Sequence, residues 1–149
     1  MQNCKNCGLR NISQLFGNVV AVSIGAVNVT LKIALKGSDT LVATITKESA
    51  ESLGIKIGLE VVGLIKAPHV MLVTDFGGYK LSARNQLTGT VTRIQKGSVN
   101  TEVIIALKGG DSIAATITNN SIESLALVVG HSATAVFKAG AVIIGVASE

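Results

Sequence analysis

The chain is poor in aromatic residues, proline and cysteine. It has no tryptophan, one tyrosine, three phenylalanines, one proline and two cysteines among 149 residues. Proteins that bind single-stranded nucleic acid use aromatic side chains as stacking platforms, and this chain has few to offer. The net charge is +4, but the lysines and arginines lie singly and form no basic cluster. These shortages disfavour a nucleic-acid binder, and we expect no nucleic-acid partner.

Charge is also scarce. Charged residues make up 15% of the chain, against roughly 25% in an average soluble domain, while 48% of the residues are hydrophobic. A surface with so few charges predicts a protein that associates with other copies of itself. No stretch reaches the approximately 18 apolar residues that a spanning helix needs, and Lys138 interrupts the most apolar segment, residues 133–146. We therefore expect a cytoplasmic protein with no membrane partner.

Cys4 and Cys7 are the two cysteines, spaced as a C-x-x-C pair. Such a pair can be half of a zinc site or a redox couple. The chain has no second pair, and His69 and His131 are far away in sequence. The pattern therefore predicts neither a metal centre nor redox chemistry, and the role of the two cysteines stays open.

The chain does contain a long internal repeat. Residues 17–73 align without a gap on residues 89–145, and about 23 of the 57 aligned pairs are identical. This period exceeds the roughly 20–50 residues of a solenoid repeat and is long enough for a small barrel. We expect two domains of one kind, over residues 8–74 and 80–147, with residues 75–79 as the link between them.

The hydrophobic pattern predicts a mainly β fold. In each copy, two segments of alternating apolar residues flank a turn that contains Lys-Gly, which indicates a hairpin. Thr46 and Thr118 follow the hairpins at positions typical of a helix N-cap. The remaining strands are expected near residues 18–22, 60–65, 70–74, 90–94, 132–137 and 141–146. Each copy is then a five-stranded barrel of the OB type with one short helix.

The polar residues that recur are hydrogen-bond donors rather than catalytic groups. Neither copy has a serine–histidine–acid set or a phosphate-binding glycine loop, so we do not expect an enzyme. Thr46 and Thr118 recur before the helices, and a Lys-Ala pair recurs before a turn. Donors without a clustered acceptor fit an oxyanion that carries no proton, such as molybdate, tungstate or sulfate. Each residue also has a plain structural explanation, as a helix cap or as an exposed lysine on an apolar strand.

Taken in order, these segments resemble molbindin (Mop/TOBE) domains over roughly residues 10–147. The resemblance is carried by Ser82-Ala83-Arg84-Asn85, Gly97-Ser98-Val99-Asn100, Ala115-Thr116-Ile117-Thr118 and Lys138-Ala139. It implies OB-like barrels that exchange strands between units, assembly as a trimer, and binding of molybdate or tungstate at interfaces between units. The oxyanion-binding residues it implies are Ser82, Arg84, Asn85, Thr118, Lys138 and Ala139 in the second copy, and Arg10, Thr46, Lys66 and Ala67 in the first.

The first copy departs from this pattern at its start. Without a gap, Arg10 and Ile12 align with Ser82 and Arg84; with two extra residues, Arg10-Asn11 aligns with Arg84-Asn85 instead. Either alignment lacks the serine hydroxyl, and a lost hydrogen bond to a charged ligand costs about 1.5–3 kcal/mol. We therefore expect two unequal classes of site, with the one that uses Arg10 the weaker. Ser82 and Arg84 can also share a site with Lys66 rather than with Lys138.

Three functions follow from the sequence and the resemblance. The first is an intracellular, non-catalytic protein that binds molybdate or tungstate for storage and homeostasis. The second is a molybdate-sensing effector module that signals occupancy to a partner protein. The third is an OB-type nucleic-acid binder, which the composition disfavours.

Overall fold

The computed structural model describes residues 12–147, so Cys4, Cys7 and Arg10 lie outside the described residues. The first repeat contains β1 (Ile12–Ile24), β2 (Asn28–Leu35), β3 (Thr40–Thr46), α1 (Lys47–Leu53), β4 (Glu60–Lys66) and β5 (Met71–Val73). The second contains β6 (Asn85–Lys96), β7 (Asn100–Ala106), β8 (Ser112–Thr118), α2 (Asn119–Leu125), β9 (Ser132–Phe137) and β10 (Ile143–Gly145). The mainly β fold class with one short helix in each copy is confirmed.

The strands form two five-stranded sheets that exchange their last strands. The sheet orders are β10-β4-β1-β2-β3 and β5-β9-β6-β7-β8. Thus β5 of the first repeat pairs with β9 of the second, and β10 of the second pairs with β4 of the first. All of this pairing is antiparallel. The exchange therefore takes place within one chain, and each sheet is incomplete without a strand from the other repeat.

Strands β1 and β6 are longer than the sequence pattern predicted. Each pairs along its first part with the strand after the helix and along its second part with the next strand of the chain. The register of β1 shifts between Val19 and Ala21, and that of β6 shifts at the equivalent place; such a bulge bends a strand. Gly17 and Gly89 interrupt the alternation of apolar and polar side chains in these strands. Glycine is needed at both positions, because a Cβ on either would lie 2.3 Å from a carbonyl oxygen of the next strand.

The interior is one continuous cluster of hydrophobic side chains from both repeats, nearly all of them aliphatic. In β2, Val29, Leu31, Ile33 and Leu35 are buried while the residues between them are not, as the alternation predicted. The two helices lie on the surface, since α1 buries no residue and α2 buries Ile122 alone. Burial of the shared core therefore stabilises both repeats together.

The repeats meet at equivalent points of the two copies. A Cβ on Gly37 would lie 2.5 Å from the backbone nitrogen of Gly109, and a Cβ on Gly109 would lie 2.3 Å from the carbonyl of Lys36. The 3-10 turn Ala67–His69, which follows β4, packs against β8, and the turn Ala139–Ala141, which follows β9, packs against β3. Each Lys-Ala pair is therefore placed against the other repeat.

Candidate functional site

Two of the expected oxyanion donors line one cleft. Ser82 and Lys138 both border a cleft of about 380 Å³, which we call the Lys138 cleft, together with Met71, Phe137 and His69. His69 comes from the first repeat, so the cleft lies across the boundary between repeats. The sequence did not predict His69, because its counterpart in the second repeat is Ala141. The sequence feature that indicates His69 is its position two residues after Ala67, in the turn that follows the Lys-Ala pair.

The segment that carries Ser82 is fixed by its neighbours. The side-chain amide of Gln86 donates to the carbonyls of Leu81 and Ala83, at 3.3 and 3.0 Å. Arg84 is exposed and immediately precedes β6. Because Asn85 pairs with Phe137, Arg84 lies at the same end of the sheet as Lys138.

Asn85 is in the interior rather than at the surface of the cleft. It is 0% exposed, and its Oδ1 accepts a hydrogen bond from the backbone N–H of Val42 at 2.7 Å. Its Nδ2 donates to the carbonyl of Val42, also at 2.7 Å. The carboxamide of Asn85 is thus paired with β3 of the other repeat, which is a structural contact and differs from the expected contact with an anion.

The first repeat has the equivalent contact with a smaller side chain. Ser13 Oγ accepts a hydrogen bond from the backbone N–H of Ala114 at 2.8 Å. Ser13 pairs with Ile65 as Asn85 pairs with Phe137, so Ser13 and Asn85 are structurally equivalent. This register supports the alignment without a gap, and it places Ile12 where the second repeat has Arg84. Arg10 itself lies outside the described residues, and its role stays a prediction.

Thr46 and Thr118 are helix caps, as predicted. Thr46 Oγ1 accepts from Ser49 N at 3.0 Å and donates to Ser49 Oγ at 2.8 Å. Thr118 makes the same two contacts with Ser121, at 3.2 and 2.9 Å. Ser49 and Ser121 were missed in the sequence, although a serine follows each capping threonine at the same spacing.

Thr46 and Ser49 do not line the Lys138 cleft. They border a second cleft of about 320 Å³ with Asn28 and residues 142–144, which we call the Thr46 cleft. The structure therefore places Ser82 and Lys138 in the lining of one cleft and Thr46 in the lining of another. Thr118 is exposed at the start of α2.

The described basic residues of the expected site are exposed, and the two alanines beside the lysines are buried. Ala67 and Ala139 face the interior, while Lys66 and Lys138 are exposed. Within residues 12–147 the one ion pair joins Lys96 and Glu123, at 3.5 Å. In that range Lys66, Arg84 and Lys138 therefore carry positive charge without a carboxylate partner, which favours an anionic ligand.

Among residues 12–147, no group of three or more histidine, cysteine, aspartate or glutamate side chains could hold a metal ion. The helices of that range are too short to cross a membrane.

Known proteins resemble this chain in both sequence and fold. The family model of the TOBE domain matches twice, at residues 12–72 and 81–144. The Molybdenum transport protein ModE of Herbaspirillum seropedicae is 42% identical over 137 residues, which are 92% of this chain and 51% of that protein. The Molybdenum-pterin-binding protein MopA of Rhodobacter capsulatus is 43% identical over 134 residues, which are 90% of this chain and 51% of that protein. The chain thus spans about half the length of these curated relatives.

A solved structure matches over the full length. The cytoplasmic molybdate-binding protein ModG, in a crystal form with molybdate bound, is 48% identical, with a TM-score of 0.87. The match covers 99% of this chain and 100% of ModG. Together with the two domain matches, this agreement confirms the resemblance found in the sequence: the chain belongs to the TOBE domain family and carries two tandem copies of the domain.

Proposed function

We propose that the protein binds molybdate or tungstate reversibly, without catalysis, and serves in cytoplasmic storage and homeostasis of the oxyanion. The observation that carries this proposal is the Lys138 cleft, whose lining includes two hydrogen-bond donors of the expected site, Ser82 and Lys138. None of the described residues that line this cleft is acidic. ModG, which matches this chain throughout, is a molybdate-binding protein.

The chemistry of the donors explains the choice of ligand class. Hydroxyl and ammonium groups donate hydrogen bonds to the oxygens of an anion, and charge-assisted bonds of this kind are about twice as strong as neutral ones. A ligand that carries its own proton, such as phosphate at neutral pH, needs an acceptor in the site. Molybdate and tungstate are fully ionised dianions, so a site of donors alone suits them.

We propose that the site is completed in a homotrimer. Apolar side chains are exposed at equivalent positions of the two repeats, which supports burial against other copies. These pairs are Val27 with Val99, Ile57 with Val129, and Met71 with Ile143. Because Thr46 and Ser82 line different clefts of one protomer, donors from two protomers would meet at such an interface. Native mass spectrometry of the protein with molybdate would report the number of subunits and bound anions.

We propose further that the sites are unequal. In the ungapped alignment the second repeat has Ser82 and Arg84 where the first has Arg10 and Ile12, so the sites of the first repeat lack the serine hydroxyl. The loss of one hydrogen bond to a charged ligand weakens binding by roughly 10- to 100-fold. Isothermal titration of the assembled protein would then resolve a tight and a weak class, and a single class would contradict this inequality.

Affinity measurements with matched variants test the proposed function. The protein is dialysed against molybdate in the presence of excess sulfate, and we expect molybdate to be retained. Lys138→Gln removes a donor of the cleft, and we expect roughly 10- to 100-fold weaker binding. Lys32→Gln removes the same charge from an exposed position of β2 and should leave affinity unchanged. Equal competition by sulfate, or equal effects of the two variants, would refute the proposal.

A second candidate function is that of an effector module in molybdate sensing. Several relatives are regulators, among them the DNA-binding transcriptional dual regulator ModE of Escherichia coli, of which this chain matches 50%. In this case occupancy of the oxyanion site would be reported to a partner protein. A pull-down with and without molybdate distinguishes the two functions: a partner retained in only one of the two conditions supports sensing, and no difference supports storage. An oligonucleotide shift assay at physiological salt tests the OB-type nucleic-acid binder, for which we expect no shift.

A further inference from the structure

Asn85 pairs with the backbone of β3 as a neighbouring strand would. Strand β3 lies at the edge of its sheet, with β2 as its partner on the other side. The carboxamide of Asn85 offers one acceptor and one donor, and both reach Val42 at 2.7 Å. The contact joins the two repeats and is fully buried, since Asn85 is 0% exposed. A buried polar group that loses its hydrogen-bond partner is destabilising, so this contact strongly favours one position of Asn85.

The residues next to Asn85 are the expected oxyanion donors. Arg84 precedes it, and Ser82 lies three residues before it. Across the sheet Asn85 pairs with Phe137, the residue before Lys138. A shift of Asn85 relative to β3 would therefore move Ser82, Arg84 and Lys138 together.

We propose that Asn85 is a positioning residue for the oxyanion site and not a ligand. It holds the three donors of the second repeat at a fixed place against β3 of the first repeat, and it acts on the anion only through them. This inference rests on the proposed function. The equivalent Ser13 makes one hydrogen bond to Ala114 instead of two, so the corresponding end of the first repeat is held less firmly.

Asn85→Ser tests this role, because it copies the side chain found at Ser13. The hydroxyl can still accept from Val42 N, but the carbonyl of Val42 loses its donor. We expect molybdate binding at the sites with Ser82 to weaken by about 10- to 100-fold, which is typical of losing a group that orients a ligand-binding residue. The weaker class of sites should keep its affinity. Asn18→Ser makes the same chemical change at an exposed position and should have no effect.

A double-mutant cycle separates positioning from general stabilisation. If Asn85 acts through Ser82, the Asn85→Ser change has a smaller effect on molybdate affinity in a Ser82→Ala background than in the wild type. A purely structural role gives effects that multiply, and this outcome would overturn the inference. Circular dichroism and native mass spectrometry confirm that each variant keeps the fold and assembly of the wild type.

If Asn85→Ser does not fold, the reciprocal variant Ser13→Asn tests the inference instead. Ser13→Asn places a carboxamide opposite Ala114, and we expect the weaker class of sites to tighten; unchanged affinity of that class overturns the inference. Failure of the proposed function is distinguishable, because the wild-type protein would then retain no molybdate. If the wild type binds and Asn85→Ser binds equally well, only the positioning role is refuted.

Discussion

Replacing Ile12 with arginine would place a cation in the first repeat at the position equivalent to Arg84 in the second. Ile12 is the first residue of β1 and pairs with Lys66, and the register of Ser13 makes it the equivalent of Arg84. Ile12 is only partly buried, so the aliphatic part of an arginine can cover the same apolar surface while the guanidinium reaches solvent. We expect the weaker class of molybdate sites to bind more tightly.

The size of the effect follows from two opposing contributions. A hydrogen bond from the new guanidinium to a charged ligand contributes about 1.5–3 kcal/mol. Lys66 lies directly across the sheet from position 12, and repulsion between two like charges in water costs about 1 kcal/mol at a separation of ~4 Å. The net gain is about 0.5–2 kcal/mol, or roughly 2- to 30-fold in affinity.

Isothermal titration with molybdate measures the change in each class of site. Ile24→Arg is the matched control, because it adds the same charge at the other end of the same strand, where Ile24 is 68% exposed. An increase confined to Ile12→Arg and to the weaker class supports the reasoning. Equal increases in both variants would show a general effect of net charge. No increase would mean that position 12 does not face the anion, and the assignment of the weaker site would then be wrong.

Three further predictions concern stability, measured as the free energy of unfolding in denaturant. Gly109→Ala should destabilise the protein by about 1–3 kcal/mol or more, because the new Cβ would lie 2.3 Å from the backbone of the other repeat. The control Gly140→Ala should be neutral because nothing lies within 4 Å of its Cβ, and equal effects of the two variants would contradict the contact between repeats. Ala126→Gly should stabilise the protein by up to about 1 kcal/mol, because Ala126 ends α2 with a left-handed φ of 51° that glycine adopts more easily. Gly54→Ala, at the equivalent end of α1, should destabilise it, and effects of the opposite sign would refute the argument from backbone conformation. Asp111→Ala should destabilise the protein by about 1–3 kcal/mol, because its buried carboxylate accepts a hydrogen bond from the backbone N–H of Phe16 in β1 at 3.2 Å. An unchanged midpoint of denaturation would show that this N–H finds another partner.

Local structure was largely predictable from the sequence. The hairpin β2–β3 follows from alternating apolar residues on each side of the Lys36-Gly37 turn, and the same pattern predicted β7–β8. The helix starts followed from Thr46 and Thr118. The exchange of β5 and β10 did not follow from periodicity, because a three-residue strand carries too little alternation to reveal its partner. The resemblance to molbindins implied that exchange, and the pairing within one chain came from the structure.

The chemistry of the site was easier to predict than its geometry. Residue types identified Ser82 and Lys138 as hydrogen-bond donors, and both line the same cleft. A sequence does not show which way a polar side chain points, so Asn85 was expected at the anion although it is buried against Val42. His69 was missed because only one copy has it. The division of Thr46 and Ser82 between two clefts depends on how the repeats pack, which no local pattern contains.

The exchanged strands also make the chain suitable for fragment complementation. A proteolytic cut in the exposed linker near Gly78 would leave each half with the strand that completes the other half's sheet. The severed halves would remain bound through β5 and β10, and separately produced halves would reconstitute the protein on mixing. A single half that met a copy of itself could close both sheets in the same manner, as a domain-swapped dimer.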